Sequence, residues 1–274
     1  MKVKDHFLSG ETFEIKEIKP GVLKTMDLPQ DLSGYYDSDR YISHHQDSRN
    51  LRTFVYRQVQ KKNLGYKLKI LQRFLPGKSK VLDYGCGAGE FLKFIENIYD
   101  AEGYEPSEAA RASAKHKLKS ATVYPTLPSD THYDAITLWH VLEHIEDQED
   151  KLGYLYRHLN DEGLLIIAVP NYNSYDAEYY QENWAAYDVP RHIYHFSQKG
   201  LRETLPQDKW ELLDTLPLYF DAYYISMISE KYKKTPLFWL RGLLMGAISN
   251  FKARKTREYS SLIYVFKKKK KSDF

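Results

Sequence analysis

Short apolar runs alternate with segments of helical spacing through the middle of the chain. Five of these runs predict strands, at residues 80–83, 101–105, 121–124, 134–138 and 163–169. The last two runs are apolar without alternation, which is typical of strands buried on both faces of a sheet. Because helices between strands imply right-handed crossovers, the pattern predicts an α/β fold with a doubly wound parallel sheet.

Helical spacing predicts the elements between and beyond these strands. Helices are predicted at residues 49–74, 90–98, 107–118 and 148–159, with a shorter one after Ser197. Ser107 has the residue type that favours the N-cap of the third of these helices. Two further runs, at 210–218 and 261–266, predict strands that close the sheet.

The outer parts of the chain are less regular. Residues 1–47 lack a strong period, and we expect an N-terminal arm or lid there. Residues 48–274 are expected to form one domain, which contains a basic helical insertion at about 221–258 before the last strand. The segment 170–196 predicts a long loop rich in Tyr, Trp and His, and loops of this length are usually functional.

A glycine-rich turn, Gly85-x-Gly87-x-Gly89, follows the first predicted strand. Such a turn lets the backbone approach a ligand closely at a helix N-terminus. A dinucleotide fingerprint would need glycine at position 90, where Glu90 stands, and no Gly-Lys-Ser/Thr of a P-loop follows. Glu105 ends the second predicted strand, where a carboxylate can accept both hydroxyls of a ribose. NAD and S-adenosylmethionine both carry that ribose, so these residues alone leave the two ligands open.

Several segments resemble class I S-adenosylmethionine-dependent methyltransferases. Residues 81–89 (Val-Leu-Asp-Tyr-Gly-Cys-Gly-Ala-Gly) and 103–107 are similar to the first two motifs of that family. Residues 133–145 resemble the fourth-strand motif of the subgroup with the ubiquinone-biosynthesis O-methyltransferases, and 163–171 resemble its fifth strand. The resemblance, which covers about residues 50–218, implies a Rossmann-like seven-stranded sheet, mostly parallel with an antiparallel last strand. It also implies S-adenosylmethionine as cofactor and S-adenosylhomocysteine as product.

The resemblance also implies which residues hold the cofactor. Gly85 and Gly87 would contact its methionine part, Glu105 its ribose and Leu127 its adenine, with His140 near the sulfonium. The full predicted cofactor-binding set is Asp83, Tyr84, Gly85, Cys86, Gly87, Glu105, Pro106, Leu127, Leu138, Trp139 and His140. The N-terminal arm resembles arms that carry zinc-binding cysteine pairs in several relatives, but Cys86 is the only cysteine here, which excludes a cysteine zinc cage and an intramolecular disulfide.

Histidines are the candidate bases, since methyl transfer from an activated donor needs orientation and a proton acceptor. We predict His192 as the base and His140 as a second catalytic residue. On a helix, His140, Glu143 and His144 would share one face. That face could ligate a divalent metal, as a Glu/Glu/His set does in some ubiquinone-pathway relatives. It could instead form a hydrogen-bond network. We favour the network and predict no metal.

The loop 184–196 resembles the Asp-x-Pro-Arg-His element of the same methyltransferases. Arg191 could bind a carboxylate or phosphate of the acceptor bidentately, or it could form a structural clasp with Asp188. We predict that Tyr36, Tyr41, Arg191 and His195 bind the acceptor or form a lid over it. The alternative is that the tyrosines only pack the arm onto the sheet.

Charge separates the C-terminal region from the rest. The net charge is +3, yet Lys231 to Phe274 hold 13 Lys/Arg and 2 Asp/Glu, which leaves −8 for the remainder. Such a basic tail could bind an anionic membrane surface, nucleic acid or an acidic substrate, or it could simply be exposed to solvent. The apolar stretch 236–251 is too short to span a bilayer, so it is either a packed helix or an interfacial one. The N-terminus lacks an apolar signal core, and we expect a cytoplasmic protein.

Taken together, these features predict methyl transfer from S-adenosylmethionine to a small-molecule acceptor, with oxygen as the favoured atom. One alternative is a non-catalytic S-adenosylmethionine-binding protein that regulates a partner. Another is a nucleic-acid methyltransferase, which we disfavour because Trp139 to Leu142 stand where an Asn-Pro-Pro-Tyr-like element would be expected. The acceptor and the oligomeric state are open.

Overall fold

A computed structural model describes residues 1–36 and 51–270, with side chains described from residue 58 onwards in the second range. Some predictions fall outside these residues: Tyr41 of the lid, the start of the first long helix, and the end of the Lys-rich tail.

The described strands and helices follow in chain order. The strands are β1 Lys2–Lys4, β2 Thr12–Lys19, β3 Val22–Thr25, β4 Lys80–Tyr84, β5 Asp100–Tyr104, β6 Thr122–Tyr124, β7 Tyr133–Trp139, β8 Leu159–Pro170, β9 Tyr194–Phe196, β10 Trp210–Pro217 and β11 Ser261–Lys268. The α-helices are α1 Ser33–Tyr36, α2 Leu51–Phe74, α3 Glu90–Ile95, α4 Glu108–Lys117, α5 Gln148–His158, α6 Tyr175–Tyr180, α7 Gln198–Thr204, α8 Tyr219–Tyr232 and α9 Phe238–Thr256.

Seven strands form the central sheet in the order β10–β11–β8–β7–β4–β5–β6. The pairs within β8–β7–β4–β5–β6 are parallel, and β11 is antiparallel to both β8 and β10. The predicted doubly wound, mostly parallel sheet with an antiparallel last strand is therefore confirmed. The sheet places the carboxyl ends of β4, β5, β7 and β8 along one edge, where ligands bind in such folds.

Local signals in the sequence fix several helix starts. Ser107 accepts a hydrogen bond from Ala110 N at 3.3 Å and caps α4, as predicted. Ser197 caps α7 in the same way, accepting from Gly200 N at 3.1 Å. Helix α3 ends earlier than predicted, and β8 begins directly after α5 rather than a few residues later.

The N-terminal strands form a second, four-stranded antiparallel sheet in the order β1–β2–β3–β9. Its last strand lies in the long loop after β8, so the arm is hydrogen-bonded to the predicted acceptor loop. Gly21 makes this junction close: its φ is 79°, and a Cβ on this residue would lie 2.7 Å from Gly200 N. A side chain at position 21 would separate the arm from α7.

Between β10 and β11 the chain forms a helical hairpin of α8 and α9. The helices pack closely because Gly246 faces the backbone of α8: a Cβ there would lie 2.7 Å from Tyr223 Cα. A Cβ at Gly242 would collide with the backbone of Met227 in the same way. No described helix is both long and apolar enough to cross a membrane.

Candidate active site

The turn between β4 and α3 has the geometry of a ligand-binding loop. Gly85, Gly87 and Gly89 all have positive φ, at 74°, 54° and 75°, a conformation that non-glycine residues rarely adopt. A Cβ at Gly85 would lie 2.7 Å from the Val141 side chain, whereas one at Gly87 would meet nothing within 4 Å. The backbone at Gly87 therefore borders open space that a ligand can enter.

Glu105 lies beside this loop, directly after β5. Its two carboxylate oxygens accept hydrogen bonds from Gly87 N and Ser107 N, each at 2.9 Å. Both bonds come from the backbone and fix the carboxylate relative to the loop. Each oxygen keeps a further lone pair, which is the capacity that recognition of two ribose hydroxyls requires.

Asp83, at the end of β4, is buried and accepts a 2.7 Å hydrogen bond from Thr137 Oγ1. Burial raises the pKa of Asp83 to about 7, although the Thr137 hydrogen bond and the charge of Lys67 oppose that shift. Lys67 extends from α2 with its ammonium 4.5 Å from the Trp139 ring centre. The sequence did not single out Lys67, since one lysine in a helix with several has no distinguishing signal.

The other predicted cofactor residues lie along the same sheet edge. Trp139 packs its ring edge-on against Phe91 at 5.2 Å, and its Nε1 is buried with no hydrogen-bond partner among the described residues. Buried in or beside the sheet are Tyr84, Cys86 and Leu138, whereas Leu127 is partly buried and Pro106 is exposed. Their roles stay predictions.

His140 is held between two carboxylates. Its Nε2 lies 2.9 Å from Asp221 Oδ2 in α8, and its Nδ1 lies 3.3 Å from Glu143 Oε1. Burial opposes charge on this ring, but Asp221 and Glu143 overcome the penalty and raise the pKa of His140 to about 9. His140 is therefore a charged ring near neutral pH, with both nitrogens paired.

The segment after His140 is not the α-helix that the metal alternative assumed. His140 has a φ of 58°, and residues Leu142–His144 form a single 3₁₀ turn. His140, Glu143 and His144 therefore do not line one helix face. The turn instead directs Glu143 and His144 towards His192, which comes from the loop after β8.

Glu143, His144 and His192 form a compact acceptor-rich cluster. One ligand atom of each lies within 4.8 Å of the others. His192 Nδ1 contacts Ala186 O at 2.8 Å and His144 Nδ1 contacts Arg191 O at 2.9 Å, so each Nδ1 carries the proton and each Nε2 keeps a lone pair. Apart from the ion pair with His140, the fully buried Glu143 carboxylate has no hydrogen-bond partner among the described residues.

These three groups supply acceptors but no donor to one another. Such a cluster can take up a proton or hold a divalent cation, which imidazole and carboxylate ligands suit. The backbone hydrogen bonds of the two rings would orient either arrangement. Burial, and then repulsion from the His192 ring whenever that ring is protonated, lower the pKa of His144 to about 4, so His144 is neutral at neutral pH.

Arg191 forms a buried clasp. It is 1% exposed, and its guanidinium contacts Asp188 at 2.6 Å and Asp5 of the arm at 3.0 Å. Asp5 also accepts hydrogen bonds from three backbone amides, at residues 7, 8 and 9. Of the two interpretations of Arg191, the structure contains the clasp with Asp188, extended by Asp5.

Two further predicted lid residues connect the arm with this loop. Tyr36 approaches His144, its hydroxyl lying 3.2 Å from Nδ1. His195 is buried, and its Nε2 lies 3.0 Å from Thr25 Oγ1 in β3. Since the Thr25 hydroxyl donates to His192 O at 2.7 Å, it accepts from His195. Burial first, and then repulsion from the His192 ring whenever that ring is protonated, hold the pKa of His195 well below its usual value.

The sheet order, the glycine turn after β4 and the carboxylate after β5 define a class I methyltransferase fold. A family model described as a methyltransferase domain matches residues 55–213, more than half of the chain, and the chain belongs to this family. The protein is therefore an S-adenosylmethionine-dependent methyltransferase, and the predictions of enzyme class and cofactor are confirmed.

Two curated relatives give the level of similarity. An uncharacterized methyltransferase of Oceanobacillus iheyensis is 26% identical over 156 residues, covering 53% of this chain and 68% of the relative. A trans-aconitate 2-methyltransferase of Variovorax paradoxus is 30% identical over 105 residues, covering 35% of this chain and 40% of the relative. The second alignment thus spans less than half of that enzyme.

Solved structures share the fold at lower identity. Coclaurine N-methyltransferase bound to N-methylheliamine and SAH superposes with a TM-score of 0.52 and 16% identity, covering 75% of this chain and 72% of that one. The plantazolicin methyltransferase in complex with a pentazolic desmethylPZN analog and SAH superposes with a TM-score of 0.51 and 18% identity, covering 87% and 94%. At these identities the likeness concerns the fold.

Proposed function

We propose that the protein transfers the methyl group of S-adenosylmethionine to an oxygen atom of a small-molecule acceptor, with His192 as general base. The observation that carries the proposal is the orientation of His192: its Nδ1 is fixed by Ala186 O, and its Nε2, which lies 4.0 Å from Asp188 Oδ2, keeps a lone pair beside buried Glu143. The resemblance of residues 133–145 to ubiquinone-pathway O-methyltransferases supports oxygen as the acceptor atom.

The donor half of the site is assigned to the loop after β4. The backbone at Gly85 and Gly87 would hold the methionine part of the cofactor, and Glu105 would accept the ribose hydroxyls. The open space at Gly87 and the fixed carboxylate of Glu105 support this assignment. Bound there, S-adenosylmethionine supplies the activated methyl group.

Elimination among the neighbouring histidines favours His192 as the base. Both nitrogens of His140 are paired with carboxylates, so we propose that it orients the site as a cation rather than accepting the proton. His195 uses Nε2 to contact Thr25. His144 keeps an Nε2 lone pair, but its pKa of about 4 makes it a weak base.

The chemical step then needs few groups. The acceptor oxygen attacks the methyl carbon in line, the sulfur–methyl bond breaks, and its electron pair stays on sulfur. The proton of the acceptor hydroxyl passes to His192 Nε2. The negative charge of the buried Glu143 carboxylate would stabilise the imidazolium that forms, while Ala186 O orients the ring through Nδ1.

The arm completes the proposed site as a lid. The arm would close over the acceptor, and two contacts of its described residues 1–36 support this arrangement: that of Tyr36 with His144 and that of Asp5 with Arg191. Closure would exclude water from the reacting atoms. Protection of the arm from protease on addition of S-adenosylhomocysteine is expected, and an unchanged cleavage rate would contradict the lid.

The direct test is His192→Ala in a panel of hydroxylated acceptors, with S-adenosylhomocysteine release as the readout. Loss of a general base is expected to lower kcat by about 10²–10⁴-fold. Binding of S-adenosylhomocysteine, measured by calorimetry, is expected to stay unchanged because the donor half is separate. Unchanged turnover would remove His192 as the base. Cofactor binding without turnover of any acceptor by the wild type would favour the non-catalytic alternative.

A divalent cation at Glu143, His144 and His192 is the competing candidate, favoured by the 4.8 Å clustering of their ligand atoms. In that case His192 would ligate the metal, which would stabilise the acceptor as its alkoxide. Elemental analysis of the purified protein and measurement of activity after chelation distinguish the general-base mechanism from the metal site. Full activity without bound metal supports the base, whereas metal-dependent activity supports the cation.

A further inference from the structure

The α8–α9 hairpin exposes a continuous apolar stripe. The exposed apolar side chains of α9 are Trp239, Leu240, Leu243, Leu244 and Phe251. At about 100° per residue these five positions fall within an arc of about 140° on the helix. Leu244 is 63% exposed and Phe251 is 70% exposed. Such clustering differs from the single apolar residues that are scattered over ordinary surfaces.

The rest of α9 explains why this stripe is free. The buried residues of α9 are small, namely Gly242, Gly246, Ser249 and Ala253. The two glycines pack on the backbone of α8, and Ser249 donates to Asp176 of α6 at 2.7 Å. Because the small residues occupy the buried face, the large apolar ones lie on the outer face. Packing onto the protein itself therefore does not require them.

The charge within the segment that carries the stripe is of one sign. Residues 231–257 contain eight Lys/Arg and no Asp/Glu. Arg241 interrupts the apolar sequence; its side chain is 55% exposed, and its Nε lies 3.7 Å from Glu230 Oε2 of α8. Lys255 follows Phe251 by one turn. A helix with an apolar face, an aromatic residue near each end and basic neighbours suits the boundary between headgroups and acyl chains of an anionic bilayer.

We propose that the α8–α9 hairpin docks in the plane of a lipid surface that contains anionic lipids. The apolar stripe would enter the acyl boundary, and the basic residues would contact headgroup phosphates. A second copy of the chain fits less well, because a symmetric pair would bring two sets of eight like charges together. This proposal is independent of the acceptor atom and of the role of His192.

The hairpin is also joined to the methyl-transfer site. Asn250 of α9 donates to Tyr219 O at 2.9 Å, so the end of α9 that carries Phe251 lies against the start of α8. Two residues further along α8, Asp221 pairs with His140. Docking would therefore hold the site close to the lipid surface, where an acceptor retained in the bilayer is accessible.

Vesicle flotation of the full chain tests the proposal. Wild type is expected to float with vesicles made of equal parts phosphatidylcholine and phosphatidylglycerol, much more than with pure phosphatidylcholine vesicles, and less as salt rises. Leu244→Asp and Phe251→Asp are each expected to weaken binding by about tenfold or more. Lys234→Glu combined with Lys255→Glu should weaken it as well. Ile18→Asp, at an exposed apolar residue of β2, is the matched control and should bind like wild type.

Binding of S-adenosylhomocysteine by each variant checks that it is folded. Absence of flotation by wild type, or equal flotation of wild type and both stripe variants, would overturn the proposal. The proposal would also be overturned if wild type did not bind vesicles and instead formed a concentration-dependent dimer in sedimentation that Leu244→Asp dissociates. A second copy of the chain would then cover the stripe.

Discussion

The donor and acceptor halves of the site are built in different ways. The donor half consists of one loop and one strand end, with Glu105 bonded to Gly87 and Ser107 of the same local unit. The acceptor half joins distant segments: Asp5 and Arg191, which are in direct contact, lie 186 residues apart. The donor half is thus formed by the parallel sheet itself, whereas the acceptor half depends on the docking of the arm and of α8.

This difference explains why a cofactor site can be shared while acceptors diverge. The glycine turn requires only the connection from β4 to α3, which is part of the parallel sheet's own strand–helix alternation. Glu143 and His144 come from the turn after β7, but the other elements of the acceptor half are additions to the sheet: the arm, the loop after β8 and the hairpin. Acceptor choice is therefore expected to follow these additions rather than the sheet.

Removing the clasp is expected to have the largest effect on stability. Arg191→Met leaves the buried Asp5 carboxylate without its cation, and breaking a buried pair in this way costs about 3–5 kcal/mol. Urea unfolding measures the change. Arg73→Met is the matched control, because its ion pair with Asp214 is exposed and should contribute less than about 1 kcal/mol. Equal losses in the two variants would show that the acceptor half does not depend on the clasp.

Removing the ribose carboxylate should affect the donor half alone. Glu105→Ala is expected to weaken S-adenosylhomocysteine binding by about 10–100-fold, the loss of one or two hydrogen bonds to a charged group. Glu108→Ala, at the exposed first turn of α4, should leave the affinity unchanged. Calorimetry gives both values. If Glu105→Ala instead lowered stability as much as Arg191→Met without changing affinity, the carboxylate would be structural.

The difference between the locally formed donor half and the acceptor half built from distant segments also determines which features the sequence could predict. The strands of the sheet, the glycine turn, Glu105 and the Ser107 cap were predicted, because each depends on residues close in the chain. Asp221, Lys67 and the pairing of β3 with β9 were not, since their partners come from remote elements. The His140 segment was expected to be a helix in the metal alternative; the positive φ of His140 prevents that, and apolar spacing does not reveal it.

The smallest expected effect concerns the His140–Asp221 contact, which joins the sheet edge to α8. The folded-state pKa of His140, about 9, lies above its ordinary value of 6.5. The pair therefore stabilises the fold fully below pH 6.5, and this contribution is lost as the pH rises through 9. Asp221→Asn should lower the pKa of His140, measured by NMR titration of its ring protons, and flatten the stability profile between these values. Because His140 also contacts Glu143, the shift should be partial; an unchanged pKa would mean that Glu143 alone holds the charge and that α8 is not coupled electrostatically to the site.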